Sequence, residues 1–261
     1  MEGAESLMTT VSDILTYLET LAPLDLAMDW DNPGLQLGDR SSSVTKVLVA
    51  LDPFEDAARE AISLGAELIV THHPLFFSPI KSLTEDTAVG RTARLLIQNN
   101  ISLWSGHTNL DIAPGGVNDI LAKKLGLSQV RPIPPENLLR VGSVPEMPLA
   151  AFLETVKSSL GCPVLRYVDA GRPCRRIAVG GGACGSELKL AQEALCDTFV
   201  TSDLKYNQFW DAQDLGMNLI DSGHFYTENP VCEMLAAGLG AEFPGITVKI
   251  SESHRDCMKF F

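Results

Sequence analysis

Short apolar runs alternate with amphipathic stretches along the chain. Apolar positions three and four residues apart predict a first helix over 11–22. Strands are predicted over 46–52 and 66–70, and Pro53 favours the start of an intervening helix over 53–64. The same alternation then continues, with a helix over 91–99, a strand over 101–104 and a helix over 116–125. This order indicates a largely parallel sheet with helices on both faces.

A proline-rich stretch over 128–135 predicts a connector between two domains. Beyond it the pattern starts again, with strands near 138–145, 163–169 and 175–180 and a helix over 147–160. We therefore expect a first α/β lobe over 1–127 and a second over 128–261.

The second half of the chain echoes the first. Residues 177–179 repeat the apolar run of 47–49, and 196–201 repeat 66–71, both 130 positions later. The motif Ser-Gly-His also occurs twice, ending at His107 and His224, 117 positions apart. These echoes predict an ancient duplication and two related α/β lobes with mostly parallel or mixed sheets.

Four of the five histidines follow predicted strands. His72 and His73 are adjacent, His107 is followed at i+4 by Asp111, and at i+4 from His224 stands a second carboxylate, Glu228. Ligand sites of open α/β sheets lie beyond the carboxyl ends of the strands. Imidazole and carboxylate groups gathered there predict a metal site, one that holds two divalent ions.

The adjacent pair constrains the geometry of such a site. Neighbouring side chains on a continuing strand point to opposite faces. His72 and His73 therefore share one site only if the strand has ended, or if each binds a different ion. Glu228 is expected to open a helix over 228–239, capped by Thr227, and to bridge both ions. His107 is a ligand, a residue that orients a ligand, or a proton shuttle.

Imidazole and carboxylate ligands suit zinc, iron or manganese. Other segments offer weaker signals. The glycine-rich stretch 180–186 forms either a phosphate cradle or a tight packing turn. Lys205 and Tyr206 either hold an anionic substrate or simply begin a helix, while Trp30 is expected in the core beside a turn.

Composition narrows the classes of partner. The net charge is −13 and the pI is about 4.7, which disfavours nucleic-acid binding, and the basic cluster over 172–176 is too short to change that. The first five residues lack a signal pattern, and no apolar run approaches the roughly 18 residues of a membrane span. We expect a cytoplasmic protein with no membrane partner.

With these motifs the chain resembles the Nif-three-like dinuclear-metal family, the GTP cyclohydrolase I type 2 homologues. The matching segments are 30–38, 51–53, 71–77, 107–111, the turn 180–186, and Gly223-His224 with Glu228. The resemblance implies two α/β lobes with a dinuclear site between them and a ring-shaped homohexamer. It also implies one ligand set: His72, His73, Asp111, His224 and Glu228. Family members often have Thr-Gly-Glu/Asp, and a His after the Tyr, where this chain has Ser202 and Asn207.

These signals support a leading functional hypothesis, a metal-dependent hydrolase of the GTP cyclohydrolase type or one resembling phosphoesterases. A water between two cations would attack GTP near C8, or another anionic small molecule. Glu228 and His107 are the candidate catalytic residues, with Lys205 and Tyr206 as candidate substrate contacts. The alternatives are a non-catalytic hexameric scaffold, a regulatory protein that binds partners, and a metal chaperone or store.

Overall fold

The computed structural model describes residues 8–261. Strands and helices alternate along this part of the chain, which confirms the predicted α/β class. Two compact units are present. Unit 1 comprises the described residues up to Leu110 together with Val231–Arg255, and unit 2 comprises Asp111–Pro230 with Asp256–Phe261.

The strands in chain order are Gly34–Leu37 (β1), Lys46–Ala50 (β2), Leu68–Thr71 (β3), Ser102–Ser105 (β4), Ser128–Pro132 (β5), Arg140–Met147 (β6), Arg166–Val168 (β7), Cys174–Val179 (β8), Thr198–Thr201 (β9), Asn218–Asp221 (β10) and Thr247–Ile250 (β11). The α-helices are Val11–Leu21 (α1), Glu55–Leu64 (α2), Ala88–Gln98 (α3), Thr108–Ile112 (α4), Val117–Lys124 (α5), Leu149–Leu160 (α6), Leu188–Glu193 (α7), Tyr206–Asp214 (α8), His224–Glu228 (α9) and Val231–Glu242 (α10).

Unit 1 contains a sheet of strand order β1-β4-β3-β2-β11. β4, β3, β2 and β11 run parallel to one another, and only the edge strand β1 is antiparallel. Leu48, Ile69 and Leu103 share one face of the sheet and pack in a buried cluster with residues of α2 and α3. Burial on both faces explains why β2 and β3 are nearly continuous apolar runs rather than alternating ones. β4 is buried along its whole length as well, although serines stand at both of its ends.

Unit 2 contains a mixed sheet of strand order β5-β6-β8-β9-β10-β7. β8, β9 and β10 are parallel, while β5, β6 and β7 pair antiparallel with their neighbours. Ile177 and Val179 point into a cluster with α5 and α6, whereas Ala178 points into another with α7 and α8. This alternation along β8 places a hydrophobic layer on each face of the sheet.

The strand pairing confirms the two related lobes. Val47 pairs with Leu68 across β2 and β3, and Ile177 pairs with Thr198 across β8 and β9. Both partners are displaced by the same 130 positions that relate the apolar runs. Each sheet also has an antiparallel edge strand that comes earlier in the chain than the parallel strands named above. In unit 1 it is β1, which pairs with β4, and in unit 2 it is β7, which pairs with β10.

The repeated Ser-Gly-His motif is one residue out of register with this repeat. Ser105 pairs with Thr71 in unit 1, and Asp221 pairs with Thr201 in unit 2. In the strand pairing the equivalent of Ser105 is therefore Asp221, whereas aligning the two Ser-Gly-His motifs makes Ser222 its equivalent. His107 and His224 do not occupy equivalent backbone positions.

The predicted connector over 128–135 is wrong over most of its length, because it contains β5. This strand pairs antiparallel with β6 at the edge of the sheet, and all its residues are exposed. An edge strand tolerates Pro132 at its end because no ladder donor is needed there. Proline content therefore indicated a linker where the chain forms an edge.

The predicted boundary at 127/128 differs from the division in the structure. α5 packs against β6 and β8 and so belongs to unit 2, although it precedes residue 127. α10 and β11 return to unit 1, where Val248 pairs with Val47 on β2. A sequence boundary placed at a proline-rich stretch misses this return, because pairing with a distant strand leaves no local signal.

The predicted helix over 228–239 is also wrong at its start. α9 ends at Glu228, Asn229 caps it, and α10 begins at Val231. Asn229 keeps helical backbone angles (φ −52°, ψ −31°), and the two helices separate at Pro230, which has no backbone N–H to continue the hydrogen-bond ladder. Glu228 thus lies at the end of one helix rather than at the start of the next, and Thr227 is inside α9.

No helix within residues 8–261 combines the length and apolar character needed to cross a bilayer.

Glu60 on α2 fastens the segment that follows β11. Its carboxylate accepts bonds from the hydroxyls of Ser251 (2.5 Å) and Ser253 (2.6 Å) and from the backbone N–H groups of Glu252 and Ser253. Burial raises the pKa of Glu60, but these hydrogen bonds outweigh burial and the net pKa is lowered.

A lowered pKa makes this anchor sensitive to acid. Because the folded pKa lies below the unfolded value of about 4.3, its contribution is complete above that pH and is lost as pH falls through the folded pKa. We expect Glu60→Gln to destabilise the protein at pH 7 and to differ less from wild type at pH 3. Urea unfolding at both pH values measures this, and an equal difference at pH 7 and pH 3 would contradict it.

Candidate metal centre

β3 ends at Thr71, and His72 and His73 follow it directly. Their ring centroids are 4.8 Å apart with the planes tilted by 47°. The Thr71 hydroxyl donates to the backbone carbonyl of His73 (2.8 Å), which bends the chain as it leaves the strand. Of the two arrangements that the sequence allowed, the structure therefore has the one in which the strand has ended and the rings are neighbours.

His107 joins this pair from the end of β4. Its ring centroid lies 5.3 Å from that of His72 and 5.6 Å from that of His73. One potential ligand atom from each of the three lies within 4.8 Å of the others. Parallel strands β3 and β4 end at the same edge, so their terminal residues converge there. Unit 1 therefore presents a cluster of three imidazoles that could hold a metal ion.

Gly106 serves this cluster through its backbone. Its carbonyl accepts a hydrogen bond from Nδ1 of His72 (2.8 Å). A Cβ at position 106 would lie only 2.6 Å from the buried ring of Trp104. Position 106 requires glycine because the Trp104 ring occupies the space that a side chain would need. The backbone can therefore lie where its carbonyl orients His72.

Two aspartates orient the other imidazoles of unit 1. His73 Nδ1 donates to Asp52 Oδ1 (2.8 Å), and His107 Nδ1 donates to Asp31 Oδ1 (2.7 Å). Asp31 also accepts from the backbone N–H (2.9 Å) and hydroxyl (2.5 Å) of Thr108. Burial raises the Asp31 pKa, but the hydrogen bonds and charge of His107 and the bonds from Thr108 outweigh it and lower the pKa to about 2.

Unit 2 presents a second set on the short helix α9. His224 Nε2 and Glu228 Oε2 are 2.9 Å apart, as an i, i+4 spacing on one helix face allows. His224 Nδ1 donates to Asp203 Oδ2 (2.8 Å), which follows β9. Adjacent ligand atoms around a tetrahedral ion lie about 3.3 Å apart, so this pair is close to the spacing that two ligands of one cation adopt.

The glycine-rich turn covers this pair. Gly182 has φ +64°, and a Cβ there would collide with Glu228 Oε1 and lie 3.1 Å from His224 Nε2. The Gly182 N–H donates to the Thr227 hydroxyl (3.0 Å), and its carbonyl accepts from the Ser202 hydroxyl (2.6 Å). Of the two predicted roles for residues 180–186, these contacts support the packing turn.

Asp111 is the remaining candidate ligand and is buried in unit 2. Burial raises the pKa of the Cys184 thiol well above its usual value, and the nearby carboxylates of Asp111 and Glu228 raise it further. Asp111 and Glu228 therefore share one buried neighbourhood in this unit.

The hydrogen bonds orient the candidate histidines. A carbonyl or carboxylate oxygen accepts a hydrogen bond from Nδ1 of each, so Nε2 is the ring nitrogen with which each would bind a cation. Nε2 of His224 lies 2.9 Å from Oε2 of Glu228, where a cation would replace the proton between them. Metal-binding histidines commonly donate their other ring nitrogen to such an oxygen. The residues present thus fit divalent metal ions by the chemistry of their donor atoms.

Sequence reasoning missed the three aspartates that orient histidines: Asp31, Asp52 and Asp203. Asp52 and Asp203 each lie two residues after the end of a buried strand, the same signal that identified the histidines. Asp31 lies in the turn before β1, so it does not follow a buried strand and lacks this signal. All three fall within or beside quoted motifs, but aspartate is also common in ordinary turns.

Lys205 and Tyr206 lie at the start of α8, and both are exposed. The Lys205 N–H donates to Gln208 Oε1 (2.8 Å), the contact expected at an ordinary helix start. Asn207 lies on the same first turn with its amide 3.4 Å from Asp211. A substrate role for Lys205 and Tyr206 stays a prediction.

The bond from His224 to Asp203 leads to a first prediction about metal binding. Asp203 has φ +54°, a conformation that Asn also tolerates, so Asp203→Asn removes the charge without adding strain. We expect zinc affinity to fall by about tenfold, because outer partners of metal-binding histidines typically contribute 10–100-fold. Competition with a chromophoric chelator measures the affinity. The control is Asp214→Asn on exposed α8, and equal affinity in both variants would contradict the expectation.

The second prediction concerns the glycine-rich turn. Gly182→Ala should cost about 1–2 kcal/mol of unfolding free energy for its left-handed backbone and should also displace Glu228, weakening zinc binding. Gly216→Ala is a matched control, because Gly216 has φ +63° but open space around a Cβ. Thermal unfolding and zinc titration of both variants separate strain from collision. Equal zinc affinities would show that Gly182 serves the turn alone.

Comparison with known proteins agrees with this architecture. The family model Duf34/NIF3 (NGG1p interacting factor 3) matches residues 9–257. A Clostridium perfringens protein named GTP cyclohydrolase 1 type 2 homolog is 38% identical over 229 residues, covering 85% of this chain and 87% of that protein. A Lactococcus lactis protein of the same name is 34% identical over 256 residues, covering 96% and 98%. The crystal structure of a Bacillus cereus protein related to NIF3 has a TM-score of 0.92 at 25% identity, covering 97% and 99%, and that of the Staphylococcus aureus protein SA1388 has 0.89 at 30%, covering 97% and 99%. The chain therefore belongs to the DUF34/NIF3 family.

Proposed function

We propose that this protein is a metal-dependent hydrolase that binds two divalent cations. The proposed ligands are the set that the family resemblance implies: His72, His73, Asp111, His224 and Glu228. The observation that carries the proposal is the hydrogen bond that Nδ1 of each histidine donates to an oxygen, the arrangement that metal-binding histidines commonly have. Purely structural histidines have no need to donate from one common nitrogen.

The donor atoms favour a borderline metal. Three imidazole nitrogens and two carboxylates suit zinc, iron or manganese, whereas magnesium and calcium prefer oxygen alone. Two carboxylates also offset part of the charge of two dications. When bound, such cations supply Lewis acidity, which activates water as a nucleophile near neutral pH.

His107 is the proposed proton shuttle. Its Nδ1 proton is held by Asp31, so Nε2 is the atom that would accept and release a proton. Because the Asp31 pKa is lowered to about 2, that carboxylate remains charged at physiological pH and keeps its hydrogen bond from Nδ1 of His107. Glu228 is proposed both as a ligand and as the carboxylate that orients the attacking water.

The proposed substrate is a nucleotide or another anionic small molecule. Relatives from Clostridium perfringens and Lactococcus lactis carry the name GTP cyclohydrolase 1 type 2 homolog, and that name motivates a test of GTP, with attack near C8 of the purine. Lys205 and Tyr206, both exposed, are the proposed contacts for the phosphates. We further propose that the protein works in the cytoplasm as a homohexamer.

The metal hypothesis is tested by elemental analysis of protein purified without added metal, alongside its native mass. About two ions of one metal per chain in a hexamer would support the proposal and name the metal for activity screens. Fewer than about half an ion per chain, unchanged by reconstitution, would contradict it.

The catalytic hypothesis is tested by Glu228→Gln. We expect kcat/KM for GTP or a simple phosphoester to fall by more than the roughly 100-fold that loss of an outer partner costs, with native mass unchanged. Glu154→Gln, at an exposed position on α6, is the control and should retain wild-type turnover. Metal-loaded protein that binds two ions yet turns over none of these compounds would instead support the scaffold alternative.

A further inference from the structure

Two large aromatic side chains stand exposed beside the histidine cluster of unit 1. Trp30 is 60% exposed and Phe77 is 55% exposed, which corrects the prediction that Trp30 belongs to the core. Their ring centroids are 5.7 Å apart with the planes tilted by 43°. Single exposed aromatics are ordinary, but a neighbouring pair at the rim of a candidate site calls for a reason.

The pair is centred on His107. The Trp30 ring lies 6.0 Å from the His107 ring and the Phe77 ring lies 5.9 Å from it, and both approach edge to face. His107 is in turn 5.3 Å from His72. A ring lying against Trp30 or Phe77 would therefore be within reach of the imidazoles proposed for catalysis and metal binding.

Hydrogen bonds hold the backbone that carries both aromatics. Asp31, next to Trp30, accepts from His107 and from Thr108. Asn32 Nδ2 donates to the carbonyl of Phe76 (2.6 Å), next to Phe77. Gln36 links the same segments, since its amide donates to the Asn32 carbonyl (2.7 Å) and accepts from the Phe76 N–H (3.2 Å).

This network uses several polar side chains to hold the backbone, and it leaves both aromatic rings exposed. Its effect is to present two exposed rings from fixed backbone positions, so little conformational entropy is lost when a ligand contacts them. Rigid, exposed aromatic side chains are the usual platform for stacking planar rings, and such stacking tolerates many different bases.

We propose that Trp30 and Phe77 form a binding site for a planar heteroaromatic ring, which they hold against His107. The inference deepens the proposed function and rests on it for the fate of the ligand, but the binding itself depends only on residues of unit 1. Trp30 and Phe77 are specificity-determining residues in this view, and the histidines remain the reactive groups.

The test is calorimetric titration of the full-length protein with inosine, thymidine and nicotinamide, and with ribose as a ligand that lacks an aromatic ring. Each titration is done with zinc-loaded protein and after chelation. We expect at least one planar ligand to bind and ribose not to bind. Trp30→Ala and Phe77→Ala should each weaken that binding by about tenfold or more, since stacking on one aromatic side chain contributes roughly 5–150-fold.

Two variants separate stacking from general effects. Trp30→Tyr keeps an aromatic ring and should recover most of the affinity. Trp210→Ala removes a side chain that is 57% exposed on α8 of unit 2 and should bind as wild type does. Zinc content and native mass of every variant are measured in parallel, so that loss of metal or of assembly is recognised.

The outcomes distinguish this inference from the proposed function. Ring binding that depends on Trp30 and persists after chelation supports the inference even where no hydrolysis is found. Turnover that Trp30→Ala and Phe77→Ala leave unchanged overturns the inference while the hydrolase proposal stands. Failure of all three planar ligands to bind also overturns the inference. A Trp30→Ala variant that changes native mass and not ligand affinity overturns it too, and assigns the aromatic pair to self-association.

Discussion

The hydrogen bond from imidazole Nδ1 to an oxygen is the interaction on which the candidate site depends. It recurs at four histidines, with a backbone carbonyl as acceptor once and an aspartate three times. Each bond fixes the ring orientation and engages Nδ1 as a donor, so Nε2 is the ring nitrogen with which each histidine would bind a metal ion. Much of the surrounding structure supports these bonds. The absence of a side chain at Gly106 leaves room for the Trp104 ring and lets the Gly106 carbonyl approach His72, and Thr108 donates a hydrogen bond that helps hold Asp31 beside His107.

The strand framework that recurs in the two units places these parts differently in each. The positions 130 residues after His72 and His73 are Ser202 and Asp203, so a histidine in one copy corresponds to an aspartate in the other. In unit 1 the aspartate follows β2 and its histidine follows β3. In unit 2 the aspartate follows β9 and its histidine follows β10, one strand further along the sheet. An Asp–His hydrogen bond thus occurs in both units but at different strand ends, which a comparison of letters alone does not reveal.

Sequence patterns predicted the features that follow from local periodicity and strand direction. The parallel strands, their helices and the gathering of His72, His73 and His107 are of this kind, because neighbouring parallel strands end at one edge. Features that depend on distant partners were missed. The orienting role of Asp52 requires knowledge of where His73 lies, and the return of β11 to β2 leaves no local mark. Trp30 was misplaced because hydrophobicity predicts burial, whereas a hydrogen-bonded turn holds this ring at the surface.

The return of α10 and β11 to unit 1 has a consequence for how the chain is made. Unit 2 is almost continuous in sequence, so nearly all of it has been synthesised once Pro230 has left the ribosome. Unit 1 begins earlier but lacks one strand of its sheet until the last segment appears, and β2 keeps an unpaired edge during that interval. The sheet that starts first is therefore completed last, and the nascent polypeptide carries an open sheet edge while every strand of the other sheet is translated.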